Sequence, residues 1–311
     1  MDNLSNFLSK WLGFVVITVI TIALYILAYF LTDKIYEDPT TIFLMLLLSK
    51  FFVFEILANL FCFKYFSKFN NIIYWRHCME TKEKFECYKY CEKCCTEAPQ
   101  RSHHCPLCDY CVVRKDHHCY ITGTCIGIAN QRYFTVLLFW ISVSLAVGIP
   151  HLIYYFFMSG KILEGVLQAI NSTNLMHFDM GYYQVSFLIS AMSILLTLWV
   201  VAIIFFGCQM FYIYQGYSMQ EYANYRKLFK EDGENLGERL RLIFGEYWAL
   251  NFILPLAWKP NVMTWGIVEN IFREHWPTWT SWSLQCFHKK KSASEIPAQG
   301  NLTSTRKTNL P

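Results

Sequence analysis

A short run of the chain places an acid, two imidazoles and a thiol side by side, at Asp116, His117, His118 and Cys119. A cysteine becomes a nucleophile when a neighbouring base removes its proton or a positive environment lowers its pKa. His117 can take that proton, and Asp116 can hold the imidazole in one tautomer and stabilise it once charged, as in catalytic triads. The run therefore predicts nucleophilic catalysis through Cys119, with Asp116 raising the pKa of His117.

Further cysteines and histidines surround this run at spacings typical of zinc ligands. Structural zinc takes four Cys or His ligands, and two cysteines separated by two residues present two thiolates to one ion. The candidates between Cys91 and Cys125 exceed the eight ligands that two ions need. With Cys95 and His103 treated as bystanders, leaving out His117 gives two sets of three cysteines and one histidine, with one cysteine to spare. Spacing alone keeps Cys119 among the candidate ligands. Because a polar loop with few apolar residues needs metal to fold, we predict two zinc sites.

The elements that must position these residues are membrane helices. The chain has 311 residues, of which 54% are hydrophobic and only 16% charged, whereas soluble domains carry about 25% charged residues. A helix needs about 20 mostly apolar residues to cross the hydrocarbon. Four stretches reach that length: Trp11–Leu31, Ile42–Phe63, Phe134–Phe157 and Val185–Phe206. The predicted fold class is an α-helical polytopic membrane protein with four transmembrane helices and a cysteine-rich zinc-binding domain between the second and third.

Lysine and arginine are distributed unevenly among the connecting segments. Segment 64–132 holds 11 of them and the tail from Tyr212 holds 12, whereas the two short connectors hold only Lys34 and Lys161. Positive charge stays on the cytosolic side, so we expect both termini and the zinc domain to be cytosolic. Thiols there stay reduced, which favours metal binding over disulfides. The net charge of +4 indicates a face toward anionic lipid and no nucleic-acid partner.

The chain divides into four segments, and no internal repeat is visible. They are the N-terminus with the first two membrane helices, the cytosolic zinc domain, the last two membrane helices and a cytosolic tail, at residues 1–70, 71–133, 134–211 and 212–311. In the tail, Tyr217–Arg241 is polar and helix-prone. Glu246–Trp258 is apolar but too short to span, which suits a helix lying in the membrane interface. From Lys289 onward the composition predicts disorder.

The framework from Cys91 to Phe134 resembles the cysteine-rich domain of the DHHC-type protein acyltransferases (palmitoyltransferases). The shared positions are His104, Cys105, Cys108, Cys111, the Asp-His-His-Cys run at 116–119, Cys125, Gly127, Asn130 and Phe134. The order of two spans, zinc domain and two spans is also similar to that family.

Three positions depart from the family pattern. Tyr120 and Ile121 follow the cysteine of the motif, where the family has Pro-Trp. No Asp-Pro-Gly stands between the second span and Cys91. Of the Thr-Thr-x-Glu that follows the fourth span in the family, only Ser218 and Glu221 are kept. None of these changes touches the thiol, the base or the predicted zinc ligands.

The resemblance implies a role for each residue of the framework. Two structural zinc ions would each take three cysteines and one histidine: Cys91, Cys94, His104 and Cys111 for the first, and Cys105, Cys108, His118 and Cys125 for the second. Cys119 would stay unliganded and would be activated by Asp116 and His117. It would take a long fatty acyl group, palmitoyl above all, from acyl-CoA and pass it to a cysteine of a protein substrate.

The partners implied are acyl-CoA, membrane-associated proteins with cytosolic cysteines, and the bilayer. The expected location is an endomembrane, Golgi or endoplasmic reticulum. Three basic residues beside the motif, Arg114, Lys115 and Arg132, are candidates for binding the CoA phosphates, and their alternative role is contact with lipid headgroups or control of topology.

Two other functions compete with acyl transfer. The first is a non-catalytic zinc-binding membrane scaffold, which needs no free thiol. The second is a transporter or channel, favoured only by Lys50 and Glu55 inside the second span. Ionisable residues are costly there and face other protein, and neither broken helices nor repeated halves support transport.

Overall fold

A computed structural model describes residues 2–72, 88–99, 101–158, 180–224 and 231–255. Its four long helices are α1 (Asp2–Ile35), α2 (Pro39–Phe66), α3 (Gln131–Met158) and α4 (Met180–Gln215). Four segments are long and apolar enough to cross a membrane: Lys10–Ile35, Pro39–Asn70, Gln131–Phe156 and Ser186–Gln215. The second runs from α2 into a 3-10 helix at Ser67–Asn70. The predicted fold class of a multi-pass membrane protein with four spans is confirmed.

The four helices pack in chain order, α1 against α2, α2 against α3 and α3 against α4. Apolar side chains cover their outer faces, among them Leu12, Phe30 and Phe43, because the surrounding solvent of such a bundle is lipid. The start of α2 is fixed by Asp38, whose carboxylate accepts a hydrogen bond from the Thr41 amide at 2.8 Å. Pro39 occupies the first turn of that helix, where its missing N–H costs nothing.

In the described residues between α2 and α3, six short strands form three antiparallel hairpins, which together are called the zinc module below. The pairs are β1 (Tyr88–Cys91) with β2 (Thr96–Pro99), β3 (Ser102–Cys105) with β4 (Tyr110–Val113), and β5 (His117–Cys119) with β6 (Thr124–Ile126). A lone hairpin of this length is marginal in water. The module therefore depends on its cysteine and histidine clusters and on the surfaces that it touches.

Two asparagines join the zinc module to the membrane helices. Asn70 donates to the Asn130 side chain at 2.8 Å and accepts from the Ala129 amide at 2.8 Å. Asn130 in turn donates to the carbonyl of Cys125 at 3.1 Å. Gly127 lies within this junction, where a Cβ atom would stand only 2.8 Å from the Asn70 side chain. Only glycine fits there, so the end of α2 and the start of α3 are fixed to one another.

The tail folds back over the zinc module and the end of α4. It contains α5 (Met219–Asn224), α6 (Leu236–Phe244) and a 3-10 helix at Trp248–Phe252. Phe244 of α6 is fully buried, and the Trp140 indole of α3 donates to the Phe252 carbonyl at 2.8 Å. The apolar segment predicted to lie in the interface thus forms one short helical turn. The rest of that segment and the expected disorder from Lys289 lie outside the described residues.

The two ionisable residues of the second span face in different directions. Lys50 is exposed on the surface of the bundle, whereas Glu55 is fully buried and accepts a hydrogen bond from Asn59 at 3.1 Å. Glu55 thus faces other protein, as expected of an ionisable residue in a span, whereas Lys50 does not.

A buried ion cluster ties the tail to the zinc module. Arg101, beside β3, donates to both oxygens of Glu221 at 2.5 and 2.6 Å and to Asp232 at 2.5 Å. Arg114, after β4, donates to the other oxygen of Asp232. All four side chains are buried, so each charge depends on the others to offset its lost hydration. The cluster links segments more than 100 residues apart in the chain.

Replacing Asp232 with alanine is expected to destabilise the protein by about 3–5 kcal/mol, because two buried arginines lose a carboxylate. Apparent unfolding temperature of the detergent-purified protein measures this loss. The matched control is Glu231→Ala: its carboxylate is 51% exposed and pairs with Arg239, a surface contact of about 0–1 kcal/mol. Equal shifts for the two variants would contradict the role given to the buried cluster.

Candidate active site and metal centres

The first cysteine–histidine cluster brings together Cys91, Cys94, His104 and Cys111, with all four ligand atoms within 4.8 Å of one another. In a tetrahedral site with Zn–S bonds of about 2.3 Å, two sulfurs lie about 3.8 Å apart, and a sulfur and a nitrogen about 3.6 Å apart. The Cys94 and Cys111 sulfurs are separated by 3.7 Å. The Nδ1 atom of His104 lies 3.2 Å from the Cys94 sulfur and 3.8 Å from that of Cys91. The donor set and its geometry therefore fit zinc.

The second cluster has the same composition and the same geometry. It comprises Cys105, Cys108, His118 and Cys125, again within 4.8 Å of one another. The Cys108 and Cys125 sulfurs are 3.6 Å apart, and the His118 Nδ1 atom lies 3.3–3.5 Å from all three sulfurs. The structure thus brings together the same eight residues that the family resemblance implied, in the same two sets.

The two clusters are copies of one pattern, displaced by 14 residues. Both read Cys-x2-Cys-x9-His-x6-Cys. In both hairpins the histidine is paired directly with the last cysteine, His104 with Cys111 and His118 with Cys125. Cys95, Asp109 and Gly123, again 14 residues apart, all have positive φ. The expectation that the chain contains no internal repeat is wrong, because this period is carried by only a few ligand and turn positions.

The repeat gives Cys119 the place that Cys91 and Cys105 have in their own units. In this third unit, however, the other three ligand positions hold Thr122, Arg132 and Phe139. None of these three side chains supplies a thiolate or an imidazole. Among the described residues, Cys119 belongs to neither ligand cluster. It is the spare cysteine that the spacing alone left unidentified.

The carboxylate of Asp116, three residues before Cys119, has hydrogen-bond partners at both of its oxygens. Asp116 is 1% exposed, and its Oδ2 atom lies 2.8 Å from Nδ1 of His117. The same oxygen accepts from the side-chain amide of Gln209 on α4 at 2.8 Å. The other oxygen accepts from the Met219 backbone amide of the tail at 2.6 Å. Asp116 therefore receives donors from three separate parts of the chain.

Hydrogen bonds determine the charge states of Asp116, His117 and Cys119. Burial alone would lower the pKa of His117, but the hydrogen bonds with Asp116 and Cys119 outweigh it and raise that pKa to about 9. Burial would raise the pKa of the Cys119 thiol, yet hydrogen bonds with His117 and Thr122 hold it below its ordinary value. For Asp116 too, its partners outweigh burial and the pKa stays below its usual range. The group is therefore suited to a thiolate beside an imidazolium.

An apolar cavity of about 530 Å³ opens onto this thiol. Its walls come from the membrane helices α1, α2, α3 and α4 and from residues 117–122. Tyr36 and His151 line it as well, and the Tyr36 hydroxyl lies 2.6 Å from Nε2 of His151. Since Tyr36 follows α1 and His151 is near the end of α3, this pair closes the end opposite Cys119. Along α1 the lining from Ile17 to Ile35 covers roughly 27 Å.

The three basic residues expected to bind CoA phosphates are placed differently from one another. Arg114 is 1% exposed and engaged with Asp232 and with Gln131, so the expectation of a phosphate contact is corrected for this residue. Arg132 is also buried, with its guanidinium 4.4 Å from the centre of the Tyr133 ring. Lys115 is partly exposed and is the one of the three that the structure leaves accessible.

Sequence reasoning also missed several residues that build this site. Gln131, Gln209 and Asp232 are scattered over 100 residues with no shared motif. Ser218 and Glu221, noted only as remnants of a family motif, are both buried. The Ser218 hydroxyl donates to the Lys115 carbonyl at 2.9 Å and Glu221 pairs with Arg101. The 14-residue period is visible in the sequence. It distinguishes Cys119 from the ligands, because the unit that begins at Cys119 has no other cysteine or histidine at the ligand positions.

Comparison with known proteins agrees with this geometry. Palmitoyltransferase PFA3 of Candida albicans is 27% identical over 206 residues, 63% of this chain and 47% of that protein. Human palmitoyltransferase ZDHHC20 is 34% identical over 76 residues, 24% of this chain and 18% of that protein. Palmitoyltransferase pfa3 of Neurospora crassa is 41% identical over 56 residues, 18% of this chain and 9% of that protein. The chain spans less than half the length of the curated relatives that it matches.

A family model covers the part of the chain that holds both clusters, Cys119 and the start of the tail. Residues 84–226 match the model of the DHHC palmitoyltransferase family. With the four membrane helices around it, this match means that the chain carries a DHHC palmitoyltransferase domain.

Proposed function

We propose that the protein is a protein S-acyltransferase that moves a long acyl chain, palmitoyl above all, from acyl-CoA to cysteine thiols of protein substrates through an acyl-enzyme on Cys119. The observation that carries this proposal is the apolar cavity within the bundle that opens onto Cys119 beside His117 and Asp116. Cavities of this size take one small ligand, and each buried methylene of an acyl chain stabilises binding by about 0.8 kcal/mol.

The first step forms the acyl-enzyme. The Cys119 sulfur attacks the thioester carbonyl of acyl-CoA, and the carbon–sulfur bond to CoA breaks. His117, held in its protonated form by Asp116, gives a proton to the departing CoA sulfur. The products are free CoA and a thioester between the acyl chain and Cys119.

The second step reverses these roles. A substrate cysteine gives its proton to His117, and its sulfur attacks the acyl carbonyl. The bond to Cys119 breaks, so the chain leaves on the substrate and Cys119 returns as a thiolate beside imidazolium. Each half-reaction uses the same two side chains, which is the pattern of ping-pong kinetics.

In this proposal two zinc ions are structural, with the two Cys3His clusters as their ligands. Their closed donor sets leave no open position of the kind that catalytic zinc needs. The charge asymmetry of the loops supports cytosolic termini and a cytosolic zinc module. With Arg114 buried, Lys115 is the residue of the three that we retain for contact with CoA phosphate or a lipid headgroup. An endomembrane location and membrane-associated protein substrates complete the proposal.

Replacing Cys119 with serine should abolish incorporation of a labelled acyl group while the purified protein keeps two equivalents of zinc. Wild-type protein should acquire a hydroxylamine-sensitive label on incubation with labelled palmitoyl-CoA. Cys125→Ser is the contrasting variant, because loss of a ligand should remove zinc and destabilise the module. A wild-type protein that binds zinc but takes no label would favour the scaffold instead. Loss of zinc from Cys119→Ser would make that residue a ligand.

The rate of self-acylation should follow a bell-shaped pH profile. As the pH increases, the rate should begin to rise at a pH below the ordinary pKa of a thiol, because the pKa of Cys119 is lowered. It should fall again near pH 9, because His117 then loses the proton that the CoA sulfur needs. His117→Ala should retain zinc and lose the alkaline limb, and a wild-type rate still climbing well above pH 9 would contradict this scheme.

Replacing His151 with alanine should shift the preference of the enzyme toward longer acyl chains. The variant opens the end of the cavity that His151 and Tyr36 close, and each additional buried methylene is worth about 0.8 kcal/mol, or about fourfold. Competition between acyl-CoAs of different length in the self-acylation assay measures the shift. Tyr154→Ala, an exposed position one turn further along α3, should leave the preference unchanged. An unaltered chain-length profile in His151→Ala would place the end of the chain elsewhere.

A further inference from the structure

A glutamine from the fourth membrane helix reaches the carboxylate that orients His117. Gln209 is 2% exposed and donates its Nε2 amide to Oδ2 of Asp116 at 2.8 Å. This is the same oxygen that lies 2.8 Å from His117 Nδ1. The position of that oxygen therefore depends on two donors, one within its own hairpin and one from α4. Gln209 itself is absent from the lining of the acyl cavity, to which α4 contributes Leu195, Leu198, Val201, Ala202 and Phe205.

The direction of the Gln209 amide is set by a second glutamine. Gln131, at the start of α3, donates to Oε1 of Gln209 at 3.1 Å. Arg114 donates to Oε1 of Gln131 at 2.7 Å. A guanidinium has donors and no acceptor, so the side facing Arg114 must be the oxygen of Gln131. Its NH2 group must then face Gln209, whose own NH2 group must face Asp116. Asp116, ionised, only accepts.

These contacts form a relay with one permitted orientation, from Arg114 through Gln131 and Gln209 to Asp116. All four side chains are buried, so water does not compete for these groups. Arg114 is anchored in turn by Asp232 of the tail. The relay therefore runs from the buried ion cluster to the residue that orients the base.

We propose that Gln209 is a positioning residue for acyl transfer, which fixes the Asp116 carboxylate against His117, and that Gln131 holds the Gln209 amide in the donating orientation. This inference rests on the proposed function of Asp116, His117 and Cys119. Partners that orient metal-ligating side chains contribute about 10- to 100-fold to activity, and we take the same magnitude for a partner that orients Asp116. The two glutamines touch neither the acyl cavity nor Cys119, so they act on the rate and leave binding of acyl-CoA unchanged.

The experiment measures self-acylation of Gln209→Met, which keeps the length of the side chain and removes the amide. We expect kcat to fall at least about tenfold, with KM for palmitoyl-CoA unchanged within about twofold and both zinc ions retained. Gln215→Met, near the end of the same helix and partly exposed, is the matched control and should keep the wild-type rate. A fall in stability with an unchanged kcat in Gln209→Met would reduce Gln209 to a packing residue and overturn the proposal.

A double-mutant comparison separates positioning from packing. Gln131→Met should lower kcat less than Gln209→Met, because the Gln209 amide remains but is free to turn. The double variant should be no slower than Gln209→Met alone, since Gln131 acts only through Gln209. If the fold-reductions in kcat of the two single variants multiply in the double variant, the two glutamines act independently and the relay is overturned. If Gln209→Met does not fold, Gln131→Met carries the test, and a wild-type kcat there overturns it.

The outcomes also distinguish this inference from the proposed function. Wild-type protein without a hydroxylamine-sensitive acyl label overturns both. Labelled wild-type protein with an equally fast Gln209→Met variant overturns the positioning role and leaves acyl transfer through Cys119 intact.

Discussion

The architecture depends on keeping one carboxylate ionised inside the protein. An isolated charge removed from water is costly unless hydrogen bonds replace its hydration. Asp116 has that replacement only because a hairpin, a membrane helix and the tail meet around it, through His117, Gln209 and the Met219 amide. Each donor comes from an element whose position is fixed by other contacts. The site therefore exists only in the assembled protein, and no isolated part of the chain contains it.

The two cysteine–histidine clusters have a different role. The loop that contains them is too polar to build a core of its own, and metal bound at the clusters would stabilise its fold. Each of the two identical ligand patterns, 14 residues apart, combines two cysteines of one hairpin with a histidine and a cysteine that are paired in the next hairpin. A third hairpin follows with the same turn and one remaining cysteine, Cys119, while Thr122 stands where a second ligand would be. A backbone shape suited to presenting a metal-bound sulfur thus presents an unliganded one.

The sequence predicted the features that depend on the composition of one segment or on the spacing of nearby residues. Hydropathy located all four spans, because a membrane helix must be apolar over its whole length. Cysteine spacing, with the family resemblance, selected the eight residues that the structure gathers into two clusters. Arg114 shows where such reasoning ended: beside the motif it looked like a phosphate ligand, yet it is buried against Asp232. Its partner lies 118 residues away, and no local pattern marks that contact.

Cys119, the proposed nucleophile, belongs to the hairpins between α2 and α3, whereas the walls of the cavity come mainly from the membrane helices. The position of Cys119 relative to the cavity must therefore be fixed by contacts between these two parts. Two contacts at the loop after Cys119 achieve this. Lys64, at the end of α2, donates to the Thr122 carbonyl at 2.9 Å and to the Lys10 carbonyl of α1. Gly13 of α1 meets the same loop so closely that a Cβ atom would stand 1.4 Å from the Ile121 carbonyl oxygen. Any side chain at Gly13 would push the loop away from α1. The two cysteine–histidine clusters fix the Cys119 sulfur relative to His117, and the contact at Gly13 fixes it relative to the cavity.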